Sequence, residues 1–138
     1  MKKVFLPGLV AGIAMLAVSM LVNQFVNMFV PSVAAEYVNS ALFRPWSDPL
    51  MSLIFVHPFL LGFILAWVWN KVKPLFVSGS VWQKGTRFGL VVWLVASIPG
   101  MFISYSSFPV SLSMISSWLI SGLISVIVAG WIFAKMNK

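Results

Sequence analysis

The chain contains one histidine, His57, and two carboxylates, Glu36 and Asp48. Imidazole and carboxylate together can relay a proton or hold a metal ion, and an ionisable side chain inside an apolar segment is a functional candidate by default. His57 precedes Pro58 within a long apolar run, and Glu36, Arg44 and Asp48 share the polar stretch before that run. If the run spans a membrane, all four lie toward one face, with the polar stretch able to fold over His57. A lone histidine cannot build a metal site unaided. The plainer reading is therefore a hydrogen-bonded structural histidine beside a proline kink, and an exposed Arg44–Asp48 pair contributing roughly 0–1 kcal/mol.

A second polar group interrupts the far part of the first apolar run. Asn23 and Asn27 stand one helical turn apart, Gln24 lies between them, and Ser19 extends their face. Unpaired amides are costly in hydrocarbon. They belong either at the membrane interface or inside the bundle, where they would contact a solute. A third pattern is a small-residue stripe: Ser113, Ser117, Ser121, Ser125 and Ala129 recur every fourth position, flanked by Gly122 and Gly130. Gly8 and Gly12 form a shorter version. Small side chains let helices approach closely and serine hydroxyls can bond across the contact, so packing is the first reading of both stripes. A polar track for a solute, or a subunit interface, is the second.

Several chemistries are set aside. With no cysteine there is no disulfide, thiolate metal site or thiol redox couple. No glycine-rich nucleotide motif and no Ser/His/Asp nucleophile context is present. No carboxylate lies within an apolar run, which argues against a proton-coupled exporter of the small multidrug-resistance type. The sequence thus indicates no catalytic residue, no metal ligand set and no cofactor.

The elements that must carry these residues follow from composition. Hydrophobic residues make up 61% of the chain and charged residues 8%, against about half and a quarter in soluble domains. So small a soluble fold could not hide that surface; lipid can. Four apolar segments, at about 4–30, 50–70, 86–105 and 110–134, reach the roughly 20 residues that a spanning helix needs. They are continuous rather than alternating, and helices leave no backbone unpaired in lipid. The expectation is one all-α domain over 1–138, an integral membrane four-helix bundle with an outer loop at 31–48 and a cytoplasmic loop at 71–85.

Charge orients the bundle. Lys2 and Lys3 precede the first segment, Lys71, Lys73, Lys84 and Arg87 lie between the second and third, and Lys135 and Lys138 follow the fourth. Eight of the nine basic residues share one side, and Arg44 is the exception. The positive-inside rule makes that side cytoplasmic, with both termini there. The net charge of +7 is read as topology and as attraction to anionic lipid head groups, not as nucleic-acid binding. Val33-Ala34-Ala35 resembles a signal cleavage site, but the preceding apolar stretch exceeds a signal core, which favours an uncleaved anchor.

Local signals mark helix ends. Asp48-Pro49 reads as an N-cap and first helical position. Ser80 and Gln83 have capping-box spacing, which would start the third helix before its apolar run. Pro58 and Pro99 are the expected kinks. Taken together, the sequence favours a non-enzymatic structural or accessory protein of the plasma membrane, with a second copy or another membrane protein as partner. The alternatives are an oligomeric small-solute channel or transporter, and a membrane enzyme or metal-binding protein using His57 with Glu36 or Asp48.

Overall fold

The computed structural model describes residues 2–39 and 42–137. Lys138 and part of the expected 31–48 loop lie outside the described residues. The described chain contains helices and no strand: α1 (Lys2–Phe29), α2 (Pro31–Tyr37), α3 (Leu53–Val72), α4 (Val81–Val92), α5 (Ile98–Ser107) and α6 (Leu112–Met136). Single 3-10 turns at Pro49–Ser52 and Lys73–Leu75 flank α3, and a π turn at Trp93–Ser97 joins α4 to α5. Among the described residues four spans are long and apolar enough to cross a membrane: Lys3–Phe29, Pro49–Leu75, Val81–Ser107 and Leu112–Met136. At 1.5 Å per residue, the shortest would reach about 37 Å, more than a hydrocarbon core of about 30 Å. This is a multi-pass architecture.

Each helix starts where local chemistry allows. The Asp48 carboxylate accepts from the Leu50 N–H at 2.9 Å, with Pro49 as the first residue of the turn that leads into α3. At α4 the full capping box forms: Ser80 Oγ accepts from the Gln83 N–H, and Gln83 Oε1 accepts from the Ser80 N–H. That box starts the third span at Val81, ahead of the 86 expected from hydropathy, because its first turns are amphipathic. Ser111 caps α6 through the Met114 N–H at 3.1 Å. The disturbance at Pro99 takes the form of the π turn before it, and Pro99 then sits in the first turn of α5, where a missing N–H is harmless. Pro58 lies buried inside a continuous α3.

The α1 helix packs along α3 and α6, and α6 packs along α4. Glycine sets both tight crossings. A Cβ on Gly62 would run into the Gly8 carbonyl, and one on Gly8 would fall 2.6 Å from Phe63 Cδ1. A Cβ on Gly130 would run into the Gly85 carbonyl, and one on Gly85 would fall 2.6 Å from the Gly130 carbonyl carbon. Gly122, by contrast, has only ordinary contact distance, 3.6 Å, to Ser97 Oγ.

Two clusters fill the interior. The larger gathers Ala11, Met15, Leu65, Ala66, Trp69, Phe88, Val126, Ala129 and Phe133 from α1, α3, α4 and α6. The smaller gathers Val33, Val110, Met114 and Ile115, with Tyr37, Phe43 and Trp118 against it. The molecule therefore has two distinguishable ends. The basic end carries the start of α1, the 73–80 connection and the end of α6. The capped end carries α2, the 42–52 segment and the start of α6. The third span is the least covered: 11% of its apolar window is buried, against 28% for the first and last spans.

Candidate functional site

The polar residues that could have formed one site beneath the 31–48 segment are committed elsewhere. The Glu36 carboxylate accepts from the Ser111 N–H at 2.9 Å, 75 positions away in sequence. Its charge then sits at the start of α6, where the helix dipole favours an anion. Asp48 Oδ2 takes a 2.8 Å ion pair from Arg44, while Oδ1 caps the 3-10 turn. These two donors hold the Asp48 carboxyl below its ordinary value, the Arg44 hydrogen bond first and the Leu50 N–H second. His57 is exposed, in a run from Leu53 to His57 that is exposed throughout. Among the described residues, no three His, Asp or Glu side chains gather as metal ligands.

The amides do not assemble either. Asn23 and Gln24 are exposed, and the Ser19 hydroxyl bonds back to the Leu16 carbonyl at 2.9 Å. Asn27 is half-buried, and its buried Oδ1 has no hydrogen-bond partner. The α6 stripe is graded along its length. Ser113 is exposed, Ser117 and Ser121 are half-buried, and Ser125 and Ala129 are buried, Ala129 within the large cluster. The grading has a geometric cause: α6 meets α4 closely from Val126 to Trp131, where Gly89 and Gly85 face it, whereas α5, beyond the π turn, packs little against α6. Ser117 satisfies itself locally, donating to the Met114 carbonyl at 2.7 Å.

Two arrangements emerge that the sequence did not announce. At the capped end, the Trp118 indole N–H donates to the Tyr37 hydroxyl at 2.6 Å. Phe43 packs against both, its ring 5.5 Å from that of Tyr37 and 6.2 Å from that of Trp118. Phe43 is thus part of the cap, whereas Trp46 is exposed. Burial raises the Tyr37 pKa, and the neighbouring Glu36 charge adds to the rise, against the Trp118 hydrogen bond, which lowers it.

At the basic end, the Trp69 indole donates to the Asn137 carbonyl at 3.2 Å. Asn70 and Asn137 both donate to the Lys3 carbonyl, at 2.9 and 2.7 Å. The two ends of the chain and the end of α3 are thereby tied together. Beside this knot opens a cleft of about 500 Å³, walled by Trp69, Phe76, Val77 and Val81 and flanked by Lys73 and Lys84. Its volume is within the range of small-ligand sites. Gly79, with φ of 103°, makes a left-handed turn in the cleft's lining. The sequence signals were present as Ser80/Gln83 and the lysines, but their convergence with Trp69 and Asn137 is tertiary. Comparison with protein-family models, curated proteins and solved structures found no match to this chain.

Proposed function

We propose that the chain is a multi-pass protein of the plasma membrane, with its basic end cytoplasmic, acting as a non-enzymatic structural or accessory component of the envelope. The observation that carries this reading is the close-packed apolar interior. Ala11, Leu65, Val126 and Ala129 lie well inside their helices and are buried against one another's cluster, where a solute path would have to run. Backbone-to-backbone crossings at Gly62 and Gly85 close the same region. The orientation rests on charge, since eight of the nine basic residues fall on one side of the four segments.

The rival reading, an oligomeric small-solute channel, draws on the third span. That span leaves most of its apolar surface uncovered, and Phe102 is 75% exposed. A second copy or another protein could cover it. Purified chain reconstituted in liposomes separates the readings. The accessory role predicts solute and ion flux equal to that of empty liposomes. It also predicts that a photo-crosslinker at position 102 captures one discrete membrane polypeptide in native membranes. Saturable flux, with cross-links only between copies of this chain, would instead establish the channel.

A further inference from the structure

The cleft at the basic end combines room, a rigid apolar wall and cations. Trp69 is held by its bond to the Asn137 carbonyl and by rings on two sides, Phe76 at 5.7 Å and Phe88 at 5.2 Å. Arg87 holds the segment between the lining residues Val77 and Gly79, donating to the Ser78 carbonyl at 3.2 Å and to its hydroxyl at 3.4 Å. The wall is therefore formed before anything binds, which spares a ligand the cost of ordering it. Lys84 and Lys73 flank the opening. Lys73 also reaches the Asn137 carbonyl at 3.5 Å. The chain's two carboxylates belong to the capped end, so the field at the cleft is positive. The cleft lies where one apolar span ends, at Leu75, and the next begins, at Val81. That is the depth at which lipid head groups meet hydrocarbon.

We infer that this cleft binds one anionic phospholipid of the surrounding bilayer, its phosphate against Lys84 and Lys73 and its apolar portion against Phe76 and Val77. Charge complementarity favours an anion, and the aromatic and aliphatic wall favours one that carries a tail. The inference rests on the membrane placement proposed above, but not on the accessory role or on which end is cytoplasmic.

The test uses the full chain reconstituted in vesicles of equal phosphatidylglycerol and phosphatidylcholine, extracted gently and weighed intact by native mass spectrometry. Retained phosphatidylglycerol should exceed phosphatidylcholine by about 25-fold, since two lysines near a net anionic head group each contribute about fivefold. Lys84→Gln should reduce the preference about fivefold. Val77→Trp, which fills the cleft from an exposed loop position, should remove bound lipid while helix content is unchanged. Lys135→Gln, basic but outside the cleft, should leave retention as in the parent. Equal retention of the two lipids, or equal losses from Lys84→Gln and Lys135→Gln, would overturn the site. So would displacement of the lipid by inorganic phosphate or by an acidic peptide, either of which would show that the tail is not read. A chain that fails to float with either vesicle overturns the membrane placement as well, whereas flotation with equal retention overturns the lipid site alone.

Discussion

Trp118 donates its indole N–H to the Tyr37 hydroxyl across 2.6 Å, joining the short α2 helix to the first turns of α6. With Glu36 capping the same helix through Ser111, this bond fastens the segment after α1 onto the far end of the chain.

The fastening should respond to alkali. Tyr37 has its pKa raised, chiefly by burial. A raised pKa means that its stabilisation is complete below the unfolded-state value, near 10, and is lost as pH climbs through the folded-state value. Thermal stability in detergent is expected to hold steady from pH 7 to about 9.5 and to fall above that. Tyr37→Phe should cost about 1 kcal/mol at neutral pH and should remove the Tyr37 share of the alkaline loss. An identical alkaline profile in the variant would show that Tyr37 is not the titrating group.

Glycine positions should divide sharply. Gly85→Ala places a methyl against the Gly130 backbone, and Gly62→Ala places one against the Gly8 carbonyl. Each should destabilise the bundle by about 1–3 kcal/mol, as overpacking does. Gly100→Ala meets nothing within 4 Å, and should be neutral or should stabilise by up to about 1 kcal/mol through helix propensity. Thermal unfolding in a single detergent compares the three. Equal shifts would remove the crossings from the account.

The serine stripe should behave as a gradient rather than a face. Ser125→Leu adds bulk at a buried position and should lower stability by about 1–3 kcal/mol. Ser113→Leu, at an exposed position, should leave stability within about 0.5 kcal/mol of the parent. Ser117→Leu and Ser121→Leu should fall between. A uniform response along α6 would mean that α5 packs against α6 as closely as α4 does.

The elements and their starts were legible in the sequence because their signals are local. Continuous apolar runs marked the spans, Asp48-Pro49 marked the entry to α3, and Ser80 with Gln83 marked α4. The early start of α4 was visible in that capping pair but not in hydropathy, since Gln83, Lys84, Thr86 and Arg87 dilute its first turns. The sites were less legible because they are long-range. Nothing local pairs Glu36 with Ser111, 75 positions on, or Trp69 with Asn137, 68 positions on. Composition offered His57 as the rarest titratable group, yet rarity says nothing about which face of α3 it takes. The regular spacing of the α6 serines likewise gave one face, while the sparse packing of α5 against α6 beyond the π turn decided which of them are covered.

Membrane placement and orientation are the frame of the proposed role, and the cysteine-free chain offers a direct measurement. Ser47→Cys and Ser78→Cys each introduce one thiol at an exposed position, on opposite ends of the molecule. In intact cells a membrane-impermeant maleimide should label position 47 fully and position 78 only after the membrane is permeabilised. Labelling of position 78 but not 47 in intact cells would contradict the orientation, and labelling of both would contradict membrane spanning itself.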